Sequence, residues 1–313
     1  MAVSFIKYPE VIRKLKGGRT MPSMKVLLFG ATGMLGSRLF YYLDQCGYDI
    51  HATTRHRETH GLPSSLSSKV RTDVRADDIP AIERLIAEIQ PDVIINCIGI
   101  IKQVPEAKDP IQAIRINALF PHQLAQICTH RHIKLIHIST DCVFDGIKGN
   151  YRESDLPSPT DLYGRTKLLG ELNQEGCLTL RTSIIGHELH SRFGLVEWFL
   201  GQTGPVKGYT RAIYTGLPTV EFSRIIAEYI LPRPELNGLY HISADPITKY
   251  DLLQLIKTAY QRDTVIIPDD SVVIDRSLNS EVFRKITGYQ PLSWPNLVEA
   301  MYQDYCTSPL YSP

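Results

Sequence analysis

KVLLFGATGMLG, Lys25 to Gly36, is the stretch that decides the fold. Val26 to Phe29 is an apolar run of strand length, and Ser37 to Leu43 is amphipathic at helical spacing. Between them stand Gly30, Gly33 and Gly36. A strand that enters a helix through such a turn makes an anion site. Glycine lets the backbone turn tightly and approach a ligand, and the helix N-terminus offers unpaired N–H groups and partial positive charge. The pattern predicts a dinucleotide pyrophosphate held by Gly30, Thr32, Gly33, Met34, Leu35 and Gly36. A tight turn alone would not need three glycines in seven residues.

Outward from this turn, strands and helices alternate. Tyr48 to Thr53 reads as a second strand, ending at Thr54 and Arg55. An acidic residue at this strand end would bind the ribose 2′-hydroxyl of NAD. An uncharged side chain followed by a guanidinium suits a 2′-phosphate instead, so NADP(H) is favoured over NAD(H), with Arg55 as the phosphate fork. A solvated basic loop is the alternative. Gly61 to Lys69 reads as a loop and Val70 to Val74 as a third strand. Asp73 and Val74 could lie beside the adenine, or Asp73 could merely close a turn. Ile79 to Gln90 places Ile82, Leu85, Ile86 and Ile89 on one helix face. Val93 to Ile98 is the fourth strand, whose end, Cys97, Ile98 and Gly99, passes over the cofactor. Pro110 to His130 is a long helix with Asn117 inside it; Asn either ties helix to strand or sits there by surface chance. Lys134 to Ser139 is the fifth strand. This alternation predicts an α/β doubly wound parallel sheet, a Rossmann arrangement.

The chemistry lies after the fifth strand. Tyr163 and Lys167 are four apart on a helix that Thr160 or Asp161 can cap, so both side chains share a face. Phenol, with a pKa of ~10, is a poor acid near neutrality. A neighbouring ammonium favours phenolate and lowers that pKa. Ser139 and Thr140 end a strand about two dozen residues earlier, which makes the Tyr–Lys pair specific rather than incidental. Thr140 then offers a second hydrogen bond to a substrate oxygen.

These motifs resemble the extended short-chain dehydrogenase/reductases, and within them the dTDP-4-dehydrorhamnose reductases. The resemblance is carried by GATGMLG (30–36), STDCVFDG (139–146), GNYRESDLPSPTDLYGRTKLLGE (149–171), GLPT (216–219) and GLYHIS (238–243). It implies reduction of the C4 ketone of a nucleotide-linked 4-keto-6-deoxysugar, in polysaccharide or glycoside assembly. On it, Tyr163 donates the proton, Lys167 binds the nicotinamide ribose and Thr140 orients the carbonyl. Ser139 joins the cofactor residues, and Asp141 and Cys142 the substrate residues. Sugar-nucleotide 4,6-dehydratases carry an Asp-Glu pair after the Thr; here Asp141 is followed by Cys142, where reductases of the family usually have Tyr. A nucleotide-sugar epimerase remains an alternative. So does a non-catalytic NADP-binding regulator, because the beta regulator of methionine adenosyltransferase resembles the same family. A homodimer through the helices at 111–130 and 163–173 is expected on the resemblance alone.

Leu178 to Ser183 reads as a sixth strand, after which regularity falls away from Gly186 to Pro218. Arg192, Lys207 and Arg211 are candidate nucleotide-diphosphate cations, Arg211 foremost, or plain surface charges. Val220 to Ile230 reads as a helix, Leu239 to Ile242 as a strand returning to the sheet, and Lys249 to Tyr260 as a helix. Asp275 to Thr287 and Trp294 to Asp304 read as final short helices. The expected division is a dinucleotide-binding domain over 24–185, joined by the returning strand near 238–243, and a substrate-binding lobe over most of 186–313.

Composition sets the class. The 313 residues are 43% hydrophobic and 21% charged, with a net charge of +1, which offers no broad field to nucleic acid or membrane. No apolar run approaches the roughly 18 residues that span a bilayer. Six scattered cysteines without CxxC pairing fit reduced thiols in a cytoplasmic protein, and no His–Cys cluster suggests a metal. Residues 1–23, with Lys7, Arg13, Lys14, Lys16 and Arg19, read as a short extension outside the fold, or as a basic amphipathic anchor.

Overall fold

The computed structural model describes residues 24–59 and 61–311, so the N-terminal extension lies outside the described residues. A seven-stranded sheet forms the centre. Its strands are β1 (Lys25–Phe29), β2 (Asp49–Thr53), β3 (Val70–Arg71), β4 (Val93–Asn96), β5 (Lys134–Thr140), β6 (Cys177–Thr182) and β7 (Gly238–His241). The spatial order is β7-β6-β5-β4-β1-β2-β3, and every pairing is parallel. The order reverses between β1 and β4, which opens a crevice at the carboxyl ends of those strands.

Helices bury both faces of the sheet, so the strands are apolar on both sides. In β1, Val26 and Leu28 enter one core while Leu27 and Phe29 enter the other. The first core packs α1 (Met34–Cys46) and the C-terminal helices. The second packs α2 (Ile79–Ile89), whose Ile82, Leu85, Ile86 and Ile89 are buried as their spacing requires. It also holds the helical stretch α3, residues 110–131, whose Phe120 meets Phe29 edge to face at 6.0 Å.

The departures from the sequence reading are local. β3 stops at Arg71, because Asp73 turns into the left-handed region at φ 58°. β4 stops at Asn96, whose Oδ1 accepts from the Ile98 amide and so draws the backbone out of the ladder. Ser64–Lys69, expected as loop, is a 3-10 helix. Ile114–Leu119, inside α3, is π-helical. The irregular region contains a short helix, Leu195–Leu200, and three short strands, Val206–Tyr209, Ala212–Tyr214 and Leu217–Pro218. The helix expected from Asp275 begins only at Glu281, since Asp275 belongs to the strand Ile274–Asp275. No described helix is long and apolar enough to cross a membrane.

Candidate active site

The three glycines of the first turn play three different parts. Gly30 has φ 96°, a conformation that L side chains rarely adopt. A Cβ on Gly36 would stand 1.9 Å from the Gly30 carbonyl oxygen, so α1 can close on the turn only without one. Gly33 is unlike both. It has φ −76°, and a Cβ there would meet nothing nearer than 3.6 Å. The fold does not require glycine at that position; a ligand backed against the turn would. The first turn of α1 carries no acidic side chain. An open glycine at the N-terminus of a 13-residue helix fits a pyrophosphate.

Across the crevice, Cys97 donates its amide to the Phe29 carbonyl, and its own carbonyl carbon packs on Gly30. Cys97 and Ile98 thus line the far side of the turn, and Gly99 follows them. Gly99 lies beside Asn117, which is buried and resolves the question its sequence position raised. Asn117 accepts from the Ile100 amide at 2.8 Å and donates to the Ile100 carbonyl at 3.0 Å and to Thr166 Oγ1 at 3.3 Å. It ties the crevice loop to α3 and to the next helix.

That helix is α4 (Leu162–Leu169), capped by Asp161, which accepts from the Gly164 amide at 2.7 Å. Gly164 lets α4 lie against the segment after β5: a Cβ there would be 2.2 Å from the Cys142 carbonyl oxygen. This close approach brings Tyr163 to Thr140. The Thr140 hydroxyl accepts from the Cys142 amide at 3.1 Å and donates to Asp141 at 3.2 Å. One rotation about its C–O bond would turn that proton to a substrate oxygen. Burial pushes the Tyr163 phenol well above its usual range, the neighbouring Cys142 adds to this, and Thr140 opposes it. Lys167 is buried and donates to the Ile138 carbonyl at 2.6 Å. Burial lowers its ammonium to about 8, against a pull upward from Glu171. The expected influence of Lys167 on the phenol is therefore not what sets Tyr163 here; desolvation outweighs it.

Other expected residues take definite places. Thr54 is buried at the end of β2, with Oγ1 3.5 Å from Thr32 Oγ1, so the adenosine-side loop meets the glycine turn. Arg55 follows it, exposed, with Nε 3.4 Å from His56 and, among the described residues, no carboxylate partner. Asp73 is exposed, sits in a turn conformation and faces Arg57 at 3.8 Å, which favours its turn role; Val74 is half-buried beside it. The Ser139 hydroxyl donates to Glu171 at 2.7 Å. It belongs to a buried network in which Arg181 meets both Glu171 oxygens, at 2.8 and 2.7 Å. Arg211 is exposed between two short strands of the C-terminal part, where its carbonyl accepts from Ile274. Lys207 pairs with Asp269 at 2.8 Å, as a surface charge would. Among the described residues no cluster of His, Cys, Asp and Glu is arranged for a metal ion, and no disulfide joins any of the six cysteines.

Sequence reasoning missed three cations. Lys102 Nζ lies 3.6 Å from Cys142 Sγ and 6.0 Å from the Tyr163 ring centroid. Arg276 donates through Nε to the Phe144 carbonyl at 2.8 Å and brings Nη1 to 3.9 Å from the same sulfur. Lys249 faces Asp141 and Cys142 electrostatically. The three come from separate loops, so no local spacing announces them. The segment after β6, read from the sequence only as irregular, also reaches the turn: a Cβ on its Gly194 would be 2.6 Å from Met34 Cε, which places it over the N-terminus of α1.

A parallel sheet with a glycine turn at its switch point, and a Tyr–Lys helix beside the end of β5, defines an extended short-chain dehydrogenase/reductase fold. The RmlD substrate binding domain model matches residues 24–305, and the chain belongs to that family. Methionine adenosyltransferase 2 subunit beta of Mus musculus is 29% identical over 254 residues, covering 77% of this chain and 73% of that protein. A hypothetical dTDP-4-dehydrorhamnose reductase from Sulfolobus tokodaii superposes with a TM-score of 0.71 at 27% identity, covering 87% of this chain and 99% of that one. The dTDP-4-dehydrorhamnose reductase from Bacillus anthracis, solved in complex with NADP, shares the fold with a TM-score of 0.73 at 20% identity, over 92% and 100% of the two chains.

Proposed function

We propose that the protein is an NADPH-dependent reductase acting on the C4 ketone of a nucleotide-linked 4-keto-6-deoxysugar. The observation that carries this reading is the juxtaposition of Thr140, Tyr163 and Lys167 at the end of β5, across the switch point from an open glycine turn. NADPH, when bound, supplies a hydride. The chain supplies the rest. Gly33 and the N-terminus of α1 take the pyrophosphate, and Arg55 the 2′-phosphate. Lys167 exchanges its Ile138 carbonyl for the nicotinamide ribose. Thr140 orients the ketone oxygen. Tyr163 keeps its proton until it is needed, because burial disfavours the phenolate; it then gives that proton to the oxygen as negative charge develops there. Asp141 and Cys142 border the sugar.

A second reading is a non-catalytic NADP-binding regulatory subunit. It is favoured by the likeness to methionine adenosyltransferase 2 subunit beta over 77% of the chain. Purified protein, NADPH and a panel of 4-keto-6-deoxysugar nucleotides separate the two. Loss of nicotinamide absorbance that disappears in Tyr163→Phe supports the reductase. Cofactor binding with no turnover on any sugar supports the regulator. The cofactor preference has its own test: Arg55→Glu should lose NADPH affinity while keeping NADH affinity.

A further inference from the structure

Consecutive residues at the end of β5 are held from α4 and the residues just after it. The Ile138 carbonyl accepts from Lys167 at 2.6 Å, and the Ser139 hydroxyl donates to Glu171 Oε1 at 2.7 Å. Both Glu171 oxygens are turned to Arg181 on β6: Oε1 accepts from Nε at 2.8 Å and Oε2 from Nη2 at 2.7 Å. Arg181 is itself fixed from behind. Its Nη1 lies 3.3 Å from His241 Nε2, and its guanidinium lies 5.2 Å from the centre of the Phe144 ring. The side chains of Arg181 and Glu171 are 5% and 9% exposed, so water does little to screen the pair. Lys167 therefore rests on a neutral carbonyl although a carboxylate stands four residues further along the chain. A hydrogen bond to a neutral acceptor is about half as strong as one to a charged acceptor, so the ammonium leaves this seat at low cost.

We propose that Glu171 is a positioning residue for Lys167 and that Arg181 governs it: Glu171 fixes the seat of the ammonium through Ser139, and Arg181 keeps the carboxylate turned away, so that Lys167 stays charged yet free to move to the nicotinamide ribose. The inference deepens the cofactor role given to Lys167 above and rests on it. The other groups around Lys167 do not supply its counter-charge. At the end of β4, burial pushes the Cys97 thiol up to about 12, so it stays protonated. On β5, burial holds His137 well below its usual range, so it stays neutral. On α4, Tyr163 keeps its proton for the same reason. From α3, His122 turns its Nε2 to the Leu169 carbonyl at 2.7 Å. Among the described residues, the charge that pulls the ammonium upward near neutral pH is thus Glu171, and Arg181 acts on it through Glu171.

NADPH affinity of the full chain, followed by fluorescence titration from about pH 6 to about pH 10, tests this without turnover. In the wild type affinity should fall as pH rises through about 8, where Lys167 loses its proton. Glu171→Gln removes the upward pull, so the midpoint of that fall should move about one unit lower. Arg181→Met releases the carboxylate to the ammonium, so the midpoint should move about one unit higher. Both variants break the same ion pair. A purely structural role would weaken binding in both and move the two midpoints together or not at all. Opposite displacements support the proposal; coincident or absent ones overturn it. Arg181→Lys keeps a charge but cannot hold both Glu171 oxygens as a guanidinium does. It decides the question where either variant fails to fold: its midpoint should also rise, by less, and an unmoved midpoint overturns the proposal. A wild type that binds no NADPH overturns it together with the cofactor role of Lys167. Opposite displacements without turnover on any ketosugar would leave the proposal standing and remove the reductase reading; coincident ones with turnover would do the reverse.

Discussion

At the scale of single residues, the site is governed by desolvation. Tyr163 holds its proton because burial disfavours the phenolate, and Lys167 is poised near neutrality for the same reason. If Tyr163 is the proton donor of the proposed reduction, Tyr163→Phe removes it and little else, so turnover should fall by about 10²–10⁴-fold with NADPH affinity intact, as steady-state kinetics and fluorescence titration will show. On the proposed function, Lys167 binds the cofactor as an ammonium. NADPH affinity should therefore decline as pH rises through about 8, a slope that Lys167→Met abolishes together with most of the affinity. Glu171 is a different case. Its carboxylate holds Arg181, and both side chains are nearly inaccessible. Glu171→Ala leaves a buried guanidinium unpaired and should cost about 3–5 kcal/mol in urea denaturation. Tyr163, Lys167 and Thr140 were legible in the sequence because helical spacing and a strand end place them. Lys102, Lys249 and Arg276 were not, because their meeting is purely tertiary.

At the scale of elements, the first turn makes a sharp distinction. Gly36→Ala forces a methyl group into the Gly30 carbonyl and should prevent stable folding or displace α1. Gly33→Ala meets no such obstacle. It should melt within a few degrees of wild type yet lose NADPH binding, which differential scanning fluorimetry with and without cofactor will separate. The strand–turn–helix was readable because its signals are local: an apolar run, glycines and an amphipathic repeat. β3 was read too long because the turn at Asp73 depends on contacts with the preceding loop, including the hydrogen bond its amide donates to the His56 carbonyl. The short strands of the C-terminal part escaped detection for a related reason. Val206–Tyr209 pairs with Ile266–Asp269 some sixty residues later, and such pairing leaves no periodic trace in either segment.

At the scale of the molecule, the parallel sheet is stapled by polar groups inside it. His137 on β5 and His241 on β7 are both inaccessible. Burial keeps His137 well below its usual range and lowers His241 to about 3. Each therefore binds a proton more readily in the unfolded chain. As pH falls below about 6.5 the unfolded state gains protons that the fold refuses, so stability decreases on acidification. The loss between pH 6.5 and 5 should be at most about 1.6 kcal/mol per histidine, measurable by urea titration at each pH. Asp141 and Asp304, raised by burial, act in the opposite sense.

The π-helical stretch Ile114–Leu119 constrains how this chain can vary in length. A π turn holds one residue more than the α turn it replaces. Excising a single residue from 114–119 would restore ordinary helical phase, but Asn117 and Phe120 could not then both keep their present directions. Either the crevice loop loses its anchor at Ile100 or the ring leaves Phe29. Elsewhere a surface helix absorbs such an indel at its ends; here the surplus residue is a fixed part of the architecture, and descendants of this chain should keep it whatever else they shed.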